Sequence, residues 1–207
     1  PEAFGAAWDK FVEAGWGAVA QDPDYGGGGF PGAVQTVMTE MIATASRAWS
    51  MGPMLTVGAL DALHTFAGED LKEIYLPKMV SGEWSGTMNL TEPQAGSDVG
   101  ALTTRAVLQD DGSYRIFGTK IFITFGEHEL TENIIQLVLA RTPDSPPGTK
   151  GISLFVVPKY LVDEDGNPGA RNDYQCLSVE HKIGLHASPP CVLSYGDAGV
   201  GATGFLV

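Results

Sequence analysis

Along the first 84 residues the apolar positions recur with a helical period. Phe4, Trp8, Phe11 and Val12 fall at i, i+4, i+7 and i+8 and make one stripe. Val34, Val37, Met38, Met41, Ile42 and Ala45 repeat that stripe after a loop rich in Gly and Pro, DPDYGGGGFPG at 22–32. The run from Met54 to Phe66 is apolar nearly all round, as in a helix buried within a bundle. Leu71, Ile74, Tyr75 and Met79 mark a further helical face, which Pro77 should kink or shorten. The glycine run lacks the GxGxxG or GKS spacing of a phosphate loop and reads as a flexible connection.

From about residue 85 the pattern changes. LTTRAVLQ, YRIFGTKIFIT, IIQLVLAR and ISLFVVPK are rich in β-branched and aromatic residues, and turn signals separate them at 110–113, 142–151 and 163–171. DDGS between two such runs reads as a hairpin turn, and PDSPPG as a surface loop. The expected fold class is α+β. A helical N-terminal domain over 1–84, truncated at its start, precedes an antiparallel, barrel-like β domain over 85–207.

Charge and cysteine content narrow the function classes. The 207 residues carry a formal net charge of −13 with only 12 Lys and Arg, which disfavours nucleic-acid binding and adhesion to an anionic membrane. No apolar run approaches the roughly 20 residues of a spanning helix, and no signal-peptide pattern opens the chain. Cys176 and Cys191 are too few for a disulfide framework, so a cytoplasmic protein is expected. Both ends read as cut: PEAFGAAWDKF starts without Met, and GATGFLV stops in an apolar phrase.

Two segments carry candidate chemistry. In MNLTEPQAGSD, residues 88–98, Pro93 fixes φ and Gly96 permits a sharp turn or a close approach by a ligand. Such a turn can present N–H groups around Ala95 to Asp98 beside the Thr91 and Ser97 hydroxyls, a cradle for ring edges or phosphate oxygens. It also reads as a plain turn with Ser97 or Asp98 capping a short helix. In KIFITFG, residues 120–126, strand alternation puts Lys120, Phe122 and Thr124 on one face and Ile121, Ile123 and Phe125 on the other. Phe122 and Thr124 then offer an aromatic plane and a hydroxyl together, or belong to an ordinary amphipathic strand.

Other clusters are weaker. Cys176, His181, His186 and Cys191 contain a full tetrahedral ligand set. Yet zinc pairs usually sit about two to four residues apart, and an odd spacing on a strand sends neighbours to opposite faces. No metal site is expected. Glu92 and Glu180 could act as bases if burial raised their pKa, but surface or ion-paired roles are commoner. No GxSxG element supports a Ser–His–Asp hydrolase.

Taken in order, YLPKMVSGEW, MNLTEPQAGSD, KIFIT and EHKIGLHASP resemble the acyl-CoA dehydrogenase family over essentially the whole chain. GEHELTENIIQLVLAR, GTKGISLFVVPK and RNDYQCLSVEHKIGLHASPPCV look most like its methylthiopropanoyl-CoA dehydrogenase-like branch. The resemblance implies an N-terminal helical domain, a middle β domain and a C-terminal helical bundle, of which this chain would lack the last. It implies FAD as cofactor, an acyl-CoA as substrate and an electron transfer flavoprotein as electron acceptor, in a homodimer or homotetramer. The cofactor-facing residues would be Met88, Leu90, Thr91, Gly96, Ser97, Phe122 and Thr124. Leu90 (by its backbone) and Thr91 would hold the pyrimidine edge, Thr124 would bond near N5 and O4, and Phe122 stands where relatives commonly have Trp. Ser97 would reach the pyrophosphate or the pantetheine arm, and Ser188 would lie on the CoA side. The implied reaction forms a trans-2-enoyl-CoA, by removal of the α-proton and transfer of the β-hydride to flavin N5. The family's catalytic glutamate lies in the C-terminal bundle, so no catalytic base is nominated in this chain. Phe125 and His186 depart from the Asn and Arg common in relatives. Two other readings stay open: an acyl-CoA oxidase or flavin monooxygenase relative, and a β-domain interaction module without flavin.

Overall fold

The computed structural model describes residues 2–185, 187–188 and 190–207. Four helices come first: α1 (Glu2–Glu13), α2 (Gly32–Ala45), α3 (Arg47–Phe66) and α4 (Glu69–Ser81). Ser46 starts α3 by accepting the Trp49 N–H on its hydroxyl, which satisfies one of the orphan donors of the first turn. Gly82, at φ +86°, ends α4 in the left-handed conformation that a glycine tolerates best. α4 continues past Pro77 to Ser81, so the proline does not shorten it. Leu76, Met79 and Val80 are buried around the proline and hold the last turn in place.

The second stripe also ends up elsewhere than expected. Of the α2 residues only Met38 is buried, whereas Val34, Val37 and Met41 are exposed. They line an open apolar groove of about 1050 Å³ between α1 and α2. The buried helix predicted for Met54–Phe66 is the second part of α3, with Ala59, Leu60 and Leu63 fully inside but Phe66 exposed.

Ten strands follow: β1 (Trp84–Asn89), β2 (Arg105–Leu108), β3 (Tyr114–Thr124), β4 (Asn133–Ala140), β5 (Ser153–Pro158), β6 (Tyr160–Val162), β7 (Pro168–Arg171), β8 (Tyr174–Val179), β9 (Pro190–Tyr195) and β10 (Ala202–Leu206). The main sheet runs β1-β4-β5-β10-β3-β9-β8 with β2 on the side of β3, and β6 pairs with β7 in a separate ribbon. β2 and β3 form the hairpin that DDGS predicted, with Leu108 opposite Tyr114. One departure from an antiparallel sheet is the parallel pairing of β1 with β4. A crossover makes this possible: β1 and β4 are separated by the motif loop and the β2–β3 hairpin.

Both faces of β4 and β5 are covered, so their sequences read as nearly continuous apolar runs. Ile135, Leu137 and Val156 pack against Leu60, Leu63, Leu76 and Met79 of the helices. Val138, Ala140, Phe155 and Val157 face Ile116, Ile123, Leu193 and Tyr195 inside the curled sheet. Each such side chain contributes about 1.5–3 kcal/mol by leaving water. Gly86 sets the closeness of β1 to the helices: a Cβ there would stand 2.6 Å from the Ala59 methyl.

Side chains, not a ladder, link β1 back across the barrel-like interior. Tyr195 donates its hydroxyl to Asn89 Oδ1 (2.9 Å), and Asn89 Nδ2 donates to Gln136 Oε1 (2.7 Å). Gln136 Nε2 then donates to the Tyr174 hydroxyl (3.1 Å) and to the Gly126 carbonyl (2.8 Å). All four side chains are buried, and the network satisfies polar atoms whose burial would otherwise be costly.

Candidate functional site

The two motifs singled out in the sequence meet in space. Ile121 N–H donates to the Thr91 carbonyl (2.9 Å), and Lys120 Nζ donates to the Leu90 carbonyl (3.1 Å). Thr87, just upstream on β1, donates its hydroxyl to the Thr124 carbonyl (2.8 Å). The start of the loop, residues 90–92, therefore lies against the C-terminal half of β3.

A buried ion pair clamps this junction. Lys120 and Glu92 have side chains exposed by only 0% and 2%, with Nζ 2.8 Å from Oε1. Thr104 N–H also donates to Oε1, while Oε2 accepts from Thr103 N–H, the Thr103 hydroxyl and Gln94 Nε2. Burial by itself would raise the pKa of this carboxyl. The hydrogen bonds from Lys120, Thr104 and Thr103, with the Lys120 charge, outweigh it and hold the group at about 2. Glu92 is thus a permanent anion wired into the fold, the ion-paired role rather than a base. Glu180 is exposed and engages through its backbone N–H, which donates to Pro190 O.

The strand alternation expected for KIFITFG does not hold. Between Lys120 and Ile123 the pairing of β3 with β9 shifts register, a β-bulge. Phe122 sits at the bulge with φ +60°, and Phe125 follows at φ +53°; among the described residues these are the only non-glycines at positive φ. The extra residue lets Lys120 and Ile123 both point inward, while Phe122 turns out and stands 58% exposed. Left-handed backbone costs a non-glycine about 1–2 kcal/mol, and such strain concentrates at functional sites. Phe125 instead buries its ring against α1 and α3, stacked on Phe4 (centroids 6.1 Å) and edge-on to His128 (5.8 Å).

His128 stays neutral. Burial and the nearby Lys159 charge bring its pKa down to about 4, against a smaller opposing effect of Glu127. Its Nδ1 accepts the Leu130 N–H, so the proton resides on Nε2, which donates to Ser85 Oγ (3.1 Å).

The motif loop leaves several donors unclaimed. Ala95 N–H is not among them: it closes a tight turn onto the Glu92 carbonyl, with the reciprocal bond from Glu92 N–H to Ala95 O. Gly96, Ser97 and Asp98 are exposed, and their N–H groups have no acceptor among the described residues. A Cβ at Gly96 would meet nothing within 4 Å, so open space rather than backbone strain lies in front of it. Asp98 precedes the short helical turn Val99–Ala101 without capping it. Leu90 is exposed and Thr91 half-buried, the Thr91 hydroxyl having no partner among the described residues; Met88 is half-buried against the helical core.

From the connection between β8 and β9, Lys182 Nζ donates to Thr124 Oγ1 (3.1 Å). Ser188 is fully buried, and its hydroxyl finds no partner among the described residues. Cys176 lies on β8, Cys191 is buried on β9 and His181 sits in the loop between them; His186 falls outside the described residues. Among the described residues no group of three or more His, Cys, Asp or Glu side chains comes together to hold a metal. Likewise, no described helix is long and apolar enough to cross a membrane.

Sequence reasoning missed three participants: the Lys120–Glu92 clamp, the Asn89–Gln136–Tyr174–Tyr195 network and Lys182. A lysine inside an otherwise apolar strand was the available signal for the first. Asn89 and Gln136, polar positions amid apolar strand sequence, signalled the second. Nothing local marked Lys182.

A helical layer on a curled β-sheet, with a strained aromatic and with donors that lack acceptors among the described residues, defines a class that comparison then identifies. The pattern described as acyl-CoA dehydrogenase, middle domain, matches residues 87–195, and that of the N-terminal domain matches residues 1–83. The chain belongs to the acyl-CoA dehydrogenase family. Across all 207 residues it is 51% identical to the 3-methylmercaptopropionyl-CoA dehydrogenase of Ruegeria pomeroyi, covering 34% of that protein. Among solved structures, butyryl-CoA dehydrogenase from Megasphaera elsdenii superposes with a TM-score of 0.76 at 28% identity, over 96% of this chain and 48% of that one. A chain from a structure of the electron transferring flavoprotein of Acidaminococcus fermentans gives 0.77 at 29% identity, over 90% and 45%. The chain thus spans about a third to a half of the length of these relatives.

Proposed function

We propose that this chain is the flavin- and thioester-facing part of an acyl-CoA dehydrogenase that binds FAD along the junction of the motif loop with β3. The observation that carries this reading is that junction itself. It combines N–H groups at Gly96–Asp98 and hydroxyls at Thr91 and Ser97 that have no partner among the described residues with the exposed Phe122 ring. These donors fit a ligand that has a flat heteroaromatic edge at one end and phosphates at the other. FAD bound there would supply the hydride acceptor for oxidation of an acyl-CoA to its trans-2-enoyl form.

In this reading the Thr91 and Thr124 hydroxyls donate to the ring edge, with the Leu90 and Met88 backbone alongside. Phe122 offers its ring to one flavin face and keeps water from it. Ser97, with the Gly96–Asp98 amides, holds phosphate oxygens of the cofactor or the pantetheine arm. The Glu92–Lys120 clamp does no chemistry; it fixes the loop so that these donors are set before ligand arrives. Ser188 belongs to the CoA side. An acyl-CoA as substrate and an electron transfer flavoprotein as acceptor complete the proposal. The homodimer or homotetramer, and the catalytic carboxylate, rest on the rest of the enzyme.

Flavin titration of the full-length protein and its Thr91→Ala and Thr124→Ala variants tests the site. Each variant should weaken FAD binding about tenfold; unchanged affinity in both would point to a β-domain interaction module without flavin. The FAD-loaded protein should bleach with an acyl-CoA and turn over with an artificial electron acceptor. Preferred turnover with oxygen would instead assign an oxidase or monooxygenase relative.

A further inference from the structure

Lys182 holds Thr124 by a hydrogen bond that constrains the hydroxyl more than the distance alone shows. An ammonium carries donors only, so at 3.1 Å the Thr124 oxygen must accept from it. The hydroxyl proton is thereby forced to point away from Lys182. Among the described residues no acceptor takes that proton, and the Thr124 backbone carbonyl is already engaged by Thr87. The Thr124 backbone is anchored at the end of β3, opposite Pro190 of β9. Lys182 comes from the β8–β9 connection, remote in sequence, and forms no ion pair among the described residues.

We infer that Lys182 is a positioning residue for the cofactor. By occupying one of the two lone pairs of Thr124, it turns the O–H away from itself and biases this hydroxyl to donate toward a carbonyl acceptor at the pyrimidine edge of the flavin. Accepting from a cation also polarises the O–H and strengthens the bond it donates. Without Lys182 the hydroxyl can rotate and compete as an acceptor, and part of its orientation is lost on every binding event. This inference rests on the flavin reading given above.

Infrared spectroscopy of bound FAD, with titration, tests it on the full-length protein. Lys182→Met keeps the aliphatic stem and removes the donor; Lys182→Arg keeps a donor and the charge. In Lys182→Met the flavin carbonyl stretch should move to higher frequency, as in Thr124→Val, and FAD affinity should fall about tenfold. Lys182→Arg should restore the wild-type frequency. In a Thr124→Val background, Lys182→Met should change neither readout further, because Lys182 acts through that hydroxyl. An unshifted carbonyl band in Lys182→Met overturns the inference, as does an added shift in the Thr124→Val background. Absence of FAD binding by the wild-type protein would overturn the flavin reading and this inference with it, a result distinct from normal binding with an indifferent Lys182.

Discussion

Replacing Glu92 by Gln removes the anion of the buried clamp and leaves the Lys120 ammonium inside the protein, where its side chain has no exposure to water. Stranding one partner of a buried pair typically costs about 3–5 kcal/mol. The loss also reaches the loop: a glutamine has a single acceptor oxygen, so it cannot serve both the Thr103 N–H and hydroxyl that converge on Oε2 and the Thr104 N–H on Oε1. The carboxyl titration gives an independent figure. Its pKa is held at about 2 against an ordinary 4.5, and a depressed folded pKa means that the unfolded chain takes up the proton first. The corresponding stability of roughly 3 kcal/mol is therefore full above pH 4.5 and is lost as pH falls towards 2. Urea unfolding of the full-length protein at pH 7 should show Glu92→Gln destabilised by this amount, at unchanged m value. Lys120→Met combined with Glu92→Gln should recover part of the loss, since no bare charge remains. A loss under about 1 kcal/mol for Glu92→Gln, or a double variant worse than the sum of the singles, would refute the clamp.

Other predictions follow from particular side chains. Phe122→Gly should be more stable than Phe122→Ala by about 1 kcal/mol, because only glycine is at ease at φ +60°, while both lose FAD affinity; calorimetry and flavin titration read the two effects. Gly86→Ala should cost about 1–3 kcal/mol, as its methyl would press on Ala59 and Met79 across the helix–sheet seam; thermal unfolding measures this. His128 has a folded pKa of about 4 against 6.5, so the neutral form is the one the fold accepts. Its stabilisation is present above pH 6.5 and is lost as pH falls through 4; His128→Gln should flatten that part of a stability–pH curve.

The sequence by itself determined the class and the site's raw materials. Helical periodicity, the change to β-branched runs near residue 85 and the DDGS turn were local signals, and local signals survive folding because they reflect propensity and the water-facing pattern. The phrases TEPQAGSD and KIFIT picked out a loop and a strand that meet in the fold, since a motif holds its chemistry in adjacent residues. Tertiary structure alone decided how these were oriented. Strand alternation assigned Lys120, Phe122 and Thr124 to one face, but the demand of Glu92 for a buried partner favours a bulge that turns Lys120 in and Phe122 out. The stripe on α2 pointed to burial, yet its exposure depends on what packs against it, which no periodicity records. Lys182 reaches Thr124 across a separation of 58 residues, and such an encounter exists only once the strands have found their order. Spacing along the chain fixes which faces can form; packing between distant elements fixes which groups meet on them.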